Sequence, residues 1–383
     1  MTISDNATRF AGSAAELIGK IDSFGELLAS TTLESEAQGR LAEPALAALR
    51  ESGAMHMRVP ETLGGLDLPI ADQMAVLARL AEYDSASAWC TMVANNGIGG
   101  MAQFISDAGV AEIFAGDTPP IGAAVAAATG VAVTVEGGYR VTGRWRFCSN
   151  VHAADWVRCT ATTDTSPSED LMVVVPRRDI RIHPTWNVVG LRGSGSADFE
   201  LVDVFVPTSR TAPDRERRQL RGRHNYTRDI GGVFAVYEHA AIAIGLARRA
   251  MRLLARLLAE SPARRERESV QIEFSRLTLE LEAAEVLAFS AFARADDDSV
   301  TDEELTTAGL PAIATYVTEV AQRCAAFAVK RAGSQALFLP NGFETVARDI
   351  TAAQVHVLVS DLNYAQHGEH LLQAQDRASL VTA

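Results

Sequence analysis

Hydrophobic residues in this chain recur every three to four positions up to about residue 117, every second position from roughly 120 to 210, and every three to four again beyond 236. These are the spacings at which a helix and a half-buried strand present one apolar face, so helices, a β domain and further helices are predicted in that order. In the first block "SAAELIGKIDSFGELLAS" and "EPALAALRESGAM" carry the helical spacing; "RVPETLGG" interrupts it with Pro60, Gly64 and Gly65, and "IADQMAVLARLAEYDSASAW" resumes it. In the middle, "VAVTVEGGYRVTGRW" alternates on either side of Glu136-Gly137-Gly138, a hairpin signal, and "DLMVVVP" and "DFELVDVFVP" predict further strands. In the third, Ile242, Leu246, Ala250, Leu253 and Leu257 line one face of a helix, three more long helical stretches follow, and four antiparallel helices fit this count. The result is an α+β chain: an N-terminal helical domain over 1–118, a central β domain over 119–210, a basic loop over 211–235 and a C-terminal helical bundle over 236–383.

At 383 residues the chain is long enough for two or three packed domains and a sizeable bound ligand. A hydrophobic share of 48% with 22% charged residues is that of a soluble globular enzyme. The net charge of −13 argues against nucleic acid as a partner, since duplex binding rests on clustered Lys and Arg. The basic loop "TAPDRERRQLRGRHNYTRDIGG" has no periodicity; it is either solvated surface or a lid or phosphate contact. Cys90, Cys148, Cys159 and Cys324 have neither zinc-site nor disulfide-framework spacing, so no metal is expected and a reducing compartment is. The start "MTISDNATRF" lacks a basic region followed by an apolar run, and no stretch approaches the length of a membrane span. A cytoplasmic protein with no membrane partner is the expectation.

No G-x-G-x-x-G follows a strand, and G-x-x-x-x-G-K-[ST], H-E-x-x-H and G-x-S-x-G are all absent, which removes the common dinucleotide, phosphate, zinc-protease and serine-hydrolase signatures. Three polar stretches remain. "GRWRFCSNVHAADW" (143–156) and "LRGSGS" (191–196) place hydroxyls, an amide and flexible glycines in the β domain, where they are either ordinary turns or a surface that approaches a flat polar ligand. "VARDITAAQVH" (346–356) places Arg348 and Asp349 as a helix-surface pair, with His356 about two turns further along nearly the same face.

Together these stretches resemble the acyl-CoA dehydrogenase superfamily. "RVPETLGG" is similar to its N-terminal turn, "VTGRWRFCSNVHAADWV" to its flavin-facing strand, "NVVGLRGSGSADFELVDVFVP" to its second β-domain signature, and "VYEHAAIAIGLARRA" and "ARDITAAQVH" to pieces of its C-terminal bundle. The resemblance implies an N-terminal helical domain, a central β-barrel-like domain, a four-helix bundle, flavin bound between them and a homotetramer. Dehydrogenases of the superfamily need a carboxylate to take the substrate α-proton, commonly a Glu eight residues past the Asp of "RD"; here that position is Val357. The sequence leans instead toward the two-component aromatic hydroxylases. That branch implies an oxygenase component using reduced FMN or FAD from a separate reductase, with O2 as co-substrate, to hydroxylate a small aromatic or polycyclic substrate through a C4a-hydroperoxyflavin shielded from water.

By the same resemblance Ser149 lies near flavin N5, and His356 lies at the reactive edge, either deprotonating a phenol or hydrogen-bonding the peroxide. Trp145, Phe147, Asn150, Arg192, Gly193, Ser194 and Ser196 join Ser149 as cofactor contacts, and His152, Asn96, Tyr226 and Glu238 are substrate-side candidates. The alternative is an acyl-CoA dehydrogenase with FAD as hydride acceptor and Glu238 as base. It stays open because Ser149-Asn150 stands where the hydroxylases usually carry Ser-Gly. A third possibility is an inactive protein of this fold serving assembly or ligand binding.

Overall fold

The computed structural model describes residues 12–213, 218–223 and 233–381. Five helices come first: α1 (Ala14–Gln38), α2 (Glu43–Ser52), α3 (Ile70–Tyr83), α4 (Ser85–Phe104) and α5 (Asp107–Ile113). The start of α1 is fixed by a capping box, in which the Ser13 side chain accepts from the Glu16 N–H and the Glu16 carboxylate accepts from the Ser13 N–H at 2.7 Å. Its end is set by Gly39, whose φ of 63° suits a residue without a β-carbon.

Seven strands follow: β1 (Gly122–Val135), β2 (Gly138–Cys148), β3 (Trp156–Thr163), β4 (Asp170–Pro176), β5 (Arg181–His183), β6 (Ala197–Pro207) and β7 (Thr211–Pro213). They form one mixed sheet in the order β5-β6-β2-β1-β3-β4-β7, with β1 parallel to β3 and the other neighbours antiparallel. The predicted hairpin is present: Val135 pairs with Gly138, and Gly137 turns the chain at φ 78°. Hydrogen bonding runs from β5 at one end of the sheet to β7 at the other. The core of the sheet includes Val141, Trp145, Cys148, Val157, Phe199 and Leu201.

The third block comprises α6 (Val233–Ala259), α7 (Pro262–Arg265), α8 (Glu268–Ala293), α9 (Asp302–Thr307), α10 (Leu310–Ala332), α11 (Gly342–Gln354) and α12 (Asp361–Val381). The last of the predicted long helices is therefore two. The break falls in "VHVLVS", where Val355, Val357 and Val359 lower helix propensity through restricted χ1 rotation and Ser360 can bond back to the backbone, accepting from the Leu362 N–H at 3.2 Å. Among the described residues no helix is long and apolar enough to cross a membrane.

The chain forms two compact units. One comprises Met1–Leu68, Ala86–Val188 and Arg192–Thr227, and the other Pro69–Ser85, Val189–Leu191 and Arg228–Ala383. Within the second unit α3 lies hard against α6: a β-carbon on Gly245 would sit 2.2 Å from the Ala78 carbonyl oxygen. Glu82 of α3 is 3.3 Å from Arg248 and 2.6 Å from Arg252, both on α6. α3 is thus a C-terminal-bundle helix that the chain supplies early.

Candidate functional site

In the first unit the stretch 143–156 leaves the regular alternation of a strand. Trp145 pairs with Phe199 and Cys148 with Ala197, so β2 carries an extra residue and bulges between them. Simple alternation would turn Phe147 inward with Trp145; instead Phe147 adopts φ 60° and its ring is 60% exposed, while Trp145 and Cys148 are buried. The Arg146 guanidinium lies over the Phe147 ring and Trp186 meets it edge-on. Trp145, expected in the cofactor wall, is a core residue: it stacks on Phe199 at 5.1 Å and donates its indole N–H to the Thr160 carbonyl at 2.8 Å.

Just past the bulge, three hydroxyls form a chain. Ser149 and Ser196 are 2.6 Å apart, Ser196 and Ser194 are 2.8 Å apart, and Ser149 Oγ accepts from Trp89 Nε1 at 3.0 Å. All three serines are buried. The loops carrying them are tied together where the Asn150 N–H donates to the Ser194 carbonyl at 2.9 Å, and the Cys90 thiol also donates to that carbonyl at 3.5 Å. Asn150 is 3% exposed, yet its Nδ2 has no hydrogen-bond partner among the described residues. Native interiors seldom leave a buried donor in that state. Asn150, His152, Ser194, Gly195 and Cys90 line a cavity of about 210 Å³. Burial lowers the pKa of His152 below that of a free imidazole, and Arg40 and Arg177 add to the shift.

Sequence reasoning placed 149–150 and 191–196 together correctly, but the glycines serve a different purpose from the one expected. A β-carbon on Gly193 would come within 2.9 Å of the Ser35 β-carbon, so this glycine lets α1 approach rather than a ligand. Arg192 points toward α1 as well, 3.9 Å from Glu36. Asn96 accepts from the largely buried Arg58 guanidinium. Tyr226 lies outside the described residues.

In the second unit Glu238, the candidate base of the dehydrogenase alternative, is fully buried. The Tyr237 hydroxyl lies 3.2 Å from its Oε1 and 2.7 Å from Gln73 Oε1. His356 is not on α11 but in the turn just past it, partly buried. Its Nδ1 accepts from the Leu358 N–H at 3.3 Å, which places the proton of the neutral ring on Nε2. His239 of α6 stands beside it with ring centroids 4.2 Å apart. Burial lowers the pKa of both rings, and in His239 the neighbouring His356 adds to the effect.

Asp349 is likewise not the surface residue that its pairing with Arg348 suggested. It is 3% exposed, accepts from the Leu191 N–H at 2.7 Å and from the Ser85 hydroxyl, and burial pushes its pKa up to about 6. Sequence reasoning missed Trp89, Ser85 and His239. Trp89 and His239 stood in stretches that were noticed for other residues, and Ser85 carried no signal beyond being a cap-forming residue before a helix.

The fold agrees with the comparison to protein families. The acyl-CoA dehydrogenase N-terminal domain matches residues 24–116 and the acyl-CoA dehydrogenase C-terminal domain residues 237–361, together more than half of the chain. The chain belongs to the acyl-CoA dehydrogenase family. Among its relatives, the flavin-dependent monooxygenase oxygenase subunit HsaA of Rhodococcus jostii is 29% identical over 210 residues, 52% of this chain and 55% of that protein. The match thus spans about half the length of that relative. Indole-3-acetate monooxygenase of Pseudomonas putida is 23% identical over 88% of each chain. The structure of XiaF from a Streptomyces species, in complex with FADH2 and glycerol, superposes with a TM-score of 0.85 over 94% of this chain and 96% of that one at 22% identity, which establishes the shared fold.

Proposed function

We propose that this protein is the oxygenase component of a two-component flavin-dependent monooxygenase, taking reduced FMN or FAD from a separate reductase and using O2 to hydroxylate a small aromatic or polycyclic molecule. The relatives bearing that activity support the reading. The observation that carries it is the state of His356. Family dehydrogenases need a carboxylate base beside the substrate, whereas His356 is a neutral imidazole that carries its proton on Nε2. Its Nδ1 is already an acceptor for Leu358, so of the two roles open to it, donating a hydrogen bond to an oxygen atom is favoured over removing a phenolic proton.

The residues of the first unit fit a flavin edge. The unpartnered Asn150 amide calls for an acceptor, the hydroxyl chain ending at Ser149 offers a proton that can be shared, and the outward Phe147 ring presents an aromatic surface next to them. A cavity of about 210 Å³ is smaller than the roughly 300–1,000 Å³ of small-molecule pockets, so it takes an edge and not a whole flavin. In this reading Ser149, Asn150, Ser194 and Ser196 hold the polar edge and Phe147 the ring face. Reduced flavin, when bound, supplies the electrons that activate O2. His152, which lines the same cavity, and Asn96 remain substrate-side candidates, together with Tyr226. The expected homotetramer finds support on α8, where Ile272, Leu279 and Val286 are exposed by 44%, 63% and 70% at seven-residue intervals, the spacing of a helix seam. The buried free thiols Cys90, Cys148, Cys159 and Cys324 suit a reducing, cytoplasmic setting.

The test mixes the protein anaerobically with photoreduced FMN or FAD and then with oxygenated buffer. Protein-bound flavin should reoxidise more slowly than free flavin, and Ser149→Ala should shift that rate toward the free value. Reoxidation at the free rate with both flavins, together with acyl-CoA oxidation abolished by Glu238→Gln, would install the dehydrogenase alternative instead.

A further inference from the structure

We propose that Asp349 is a positioning residue for the hydroxyl chain of Ser149, Ser194 and Ser196, because it grips the starts of the two segments that lead into that chain. One segment is α4. Ser85, its first residue, donates its hydroxyl to Asp349, and four residues later Trp89 donates to Ser149. The other is the turn 189–191. Leu191 donates its N–H to Asp349 at 2.7 Å, and three residues later Ser194 bonds Ser196 through its hydroxyl and Asn150 through its carbonyl. A single buried carboxyl therefore fixes the register of both.

The turn needs holding. Leu191 adopts φ 52°, a left-handed conformation that costs a non-glycine residue on the order of 1–2 kcal/mol. Gly190 lies directly on α11: a β-carbon there would sit 2.1 Å from the Arg348 carbonyl oxygen. On its other side Arg348 donates to the Val189 carbonyl at 2.9 Å. Arg348 and Asp349, adjacent on one helix, thus bind successive parts of the turn, and Asp349 supplies the acceptor for the strained residue itself.

The inference rests on the proposed role of the serine chain at a flavin edge, and the experiment separates the two. Backbone hydrogen exchange is followed in the flavin-free chain for the wild type, Asp349→Ala, Asp349→Asn and Ser85→Ala. In Asp349→Ala, exchange across 189–196 should accelerate by about ten-fold or more, the loss expected for hydrogen bonds to a charged acceptor, while the β4 amides over 171–175 keep their protection. Asp349→Asn, which can accept from Leu191 and donate to Ser85, should restore protection, and Ser85→Ala should loosen the start of α4 alone. Binding of FMN and FAD is titrated on the same proteins, with affinity weakened in Asp349→Ala and recovered in Asp349→Asn. Unchanged exchange over 189–196 in Asp349→Ala, or equal loss in β4, overturns the positioning role. Failure of the wild type to bind either flavin overturns the reading of the serine chain while leaving the exchange result to stand.

Discussion

Around Ser149, three hydroxyls and an indole N–H satisfy one another over distances of 2.6 to 3.0 Å, on loops held by a strand bulge. Around His356, two imidazoles face each other at 4.2 Å, and what defines them is the suppression of charge by burial. The first region is made of groups that do not titrate in the physiological range, so its chemistry depends on geometry: which hydroxyl proton points where. In the second, chemistry depends on protonation, because only the neutral ring keeps one nitrogen as acceptor and the other as donor. Asp349 belongs to the second unit by packing, yet the residues it binds lead by chain into the first region's hydroxyl chain.

The largest expected effect falls on the sheet core of the first unit, to which Trp145 belongs. Trp145→Ala should destabilise the protein by about 4 kcal/mol in denaturant unfolding, the range for deleting a fully buried large aromatic. A loss under 1 kcal/mol would mean that Trp145 is not a core residue and would return it to the cofactor wall. Next in size is the pH dependence assigned to Asp349. Its carboxyl has a folded pKa of about 6, raised by burial and by the like charge of Asp84 and partly opposed by the Ser85 and Leu191 hydrogen bonds and by Arg348. Between about pH 4 and pH 6 the folded state thus holds a proton that the unfolded state releases, and stability falls as pH rises, by on the order of 3 kcal/mol in full. His56, lowered to about 4 by burial, acts oppositely, since its unfolded form takes up a proton as pH falls. The clean measurement is therefore the difference between wild type and Asp349→Asn, in which His56 cancels. Relative to the variant, the wild type should lose stability from pH 4 to 6; a flat difference would show that Asp349 keeps an ordinary carboxyl pKa.

Most of the architecture was legible because it is written in periodicity. The helix-strand-helix order, the turn at Glu136-Gly137 and the conjunction of Ser149 with "LRGSGS" follow from spacing and turn chemistry, which act locally. What could not be read is what depends on the far side of a contact. "RWRFC" does not announce its bulge, so Trp145 and Phe147 were given the same role although one faces the core and the other solvent. Asp349 next to Arg348 looks like a surface pair in any helix, and only the turn at 189–191, more than 150 residues earlier in the chain, makes it a buried acceptor. Gly193 was given a ligand's approach when the approaching object was α1. His356 was placed on a helix that three β-branched valines help to end.

The smallest effect tests the imidazole pair directly. If burial alone holds His356 neutral, replacing its neighbour by an uncharged ring of similar shape should leave its titration where it was, because no charge contribution from His239 is among the causes of its shift. His239→Phe is therefore expected to keep the His356 pKa below 6.5, read from the ring nitrogens by proton–nitrogen correlation NMR. In both proteins Nδ1 should give the shift of an unprotonated nitrogen and Nε2 that of an N–H, as the hydrogen bond from Leu358 requires. A rise of the His356 pKa toward that of a free imidazole would make the pair, rather than burial, the cause of its neutrality. A proton found on Nδ1 would go further: it would leave Nε2 as an acceptor, exchange the donor role proposed for His356 for that of a base, and bring the histidine region back to the dehydrogenase-like task of taking a proton from substrate.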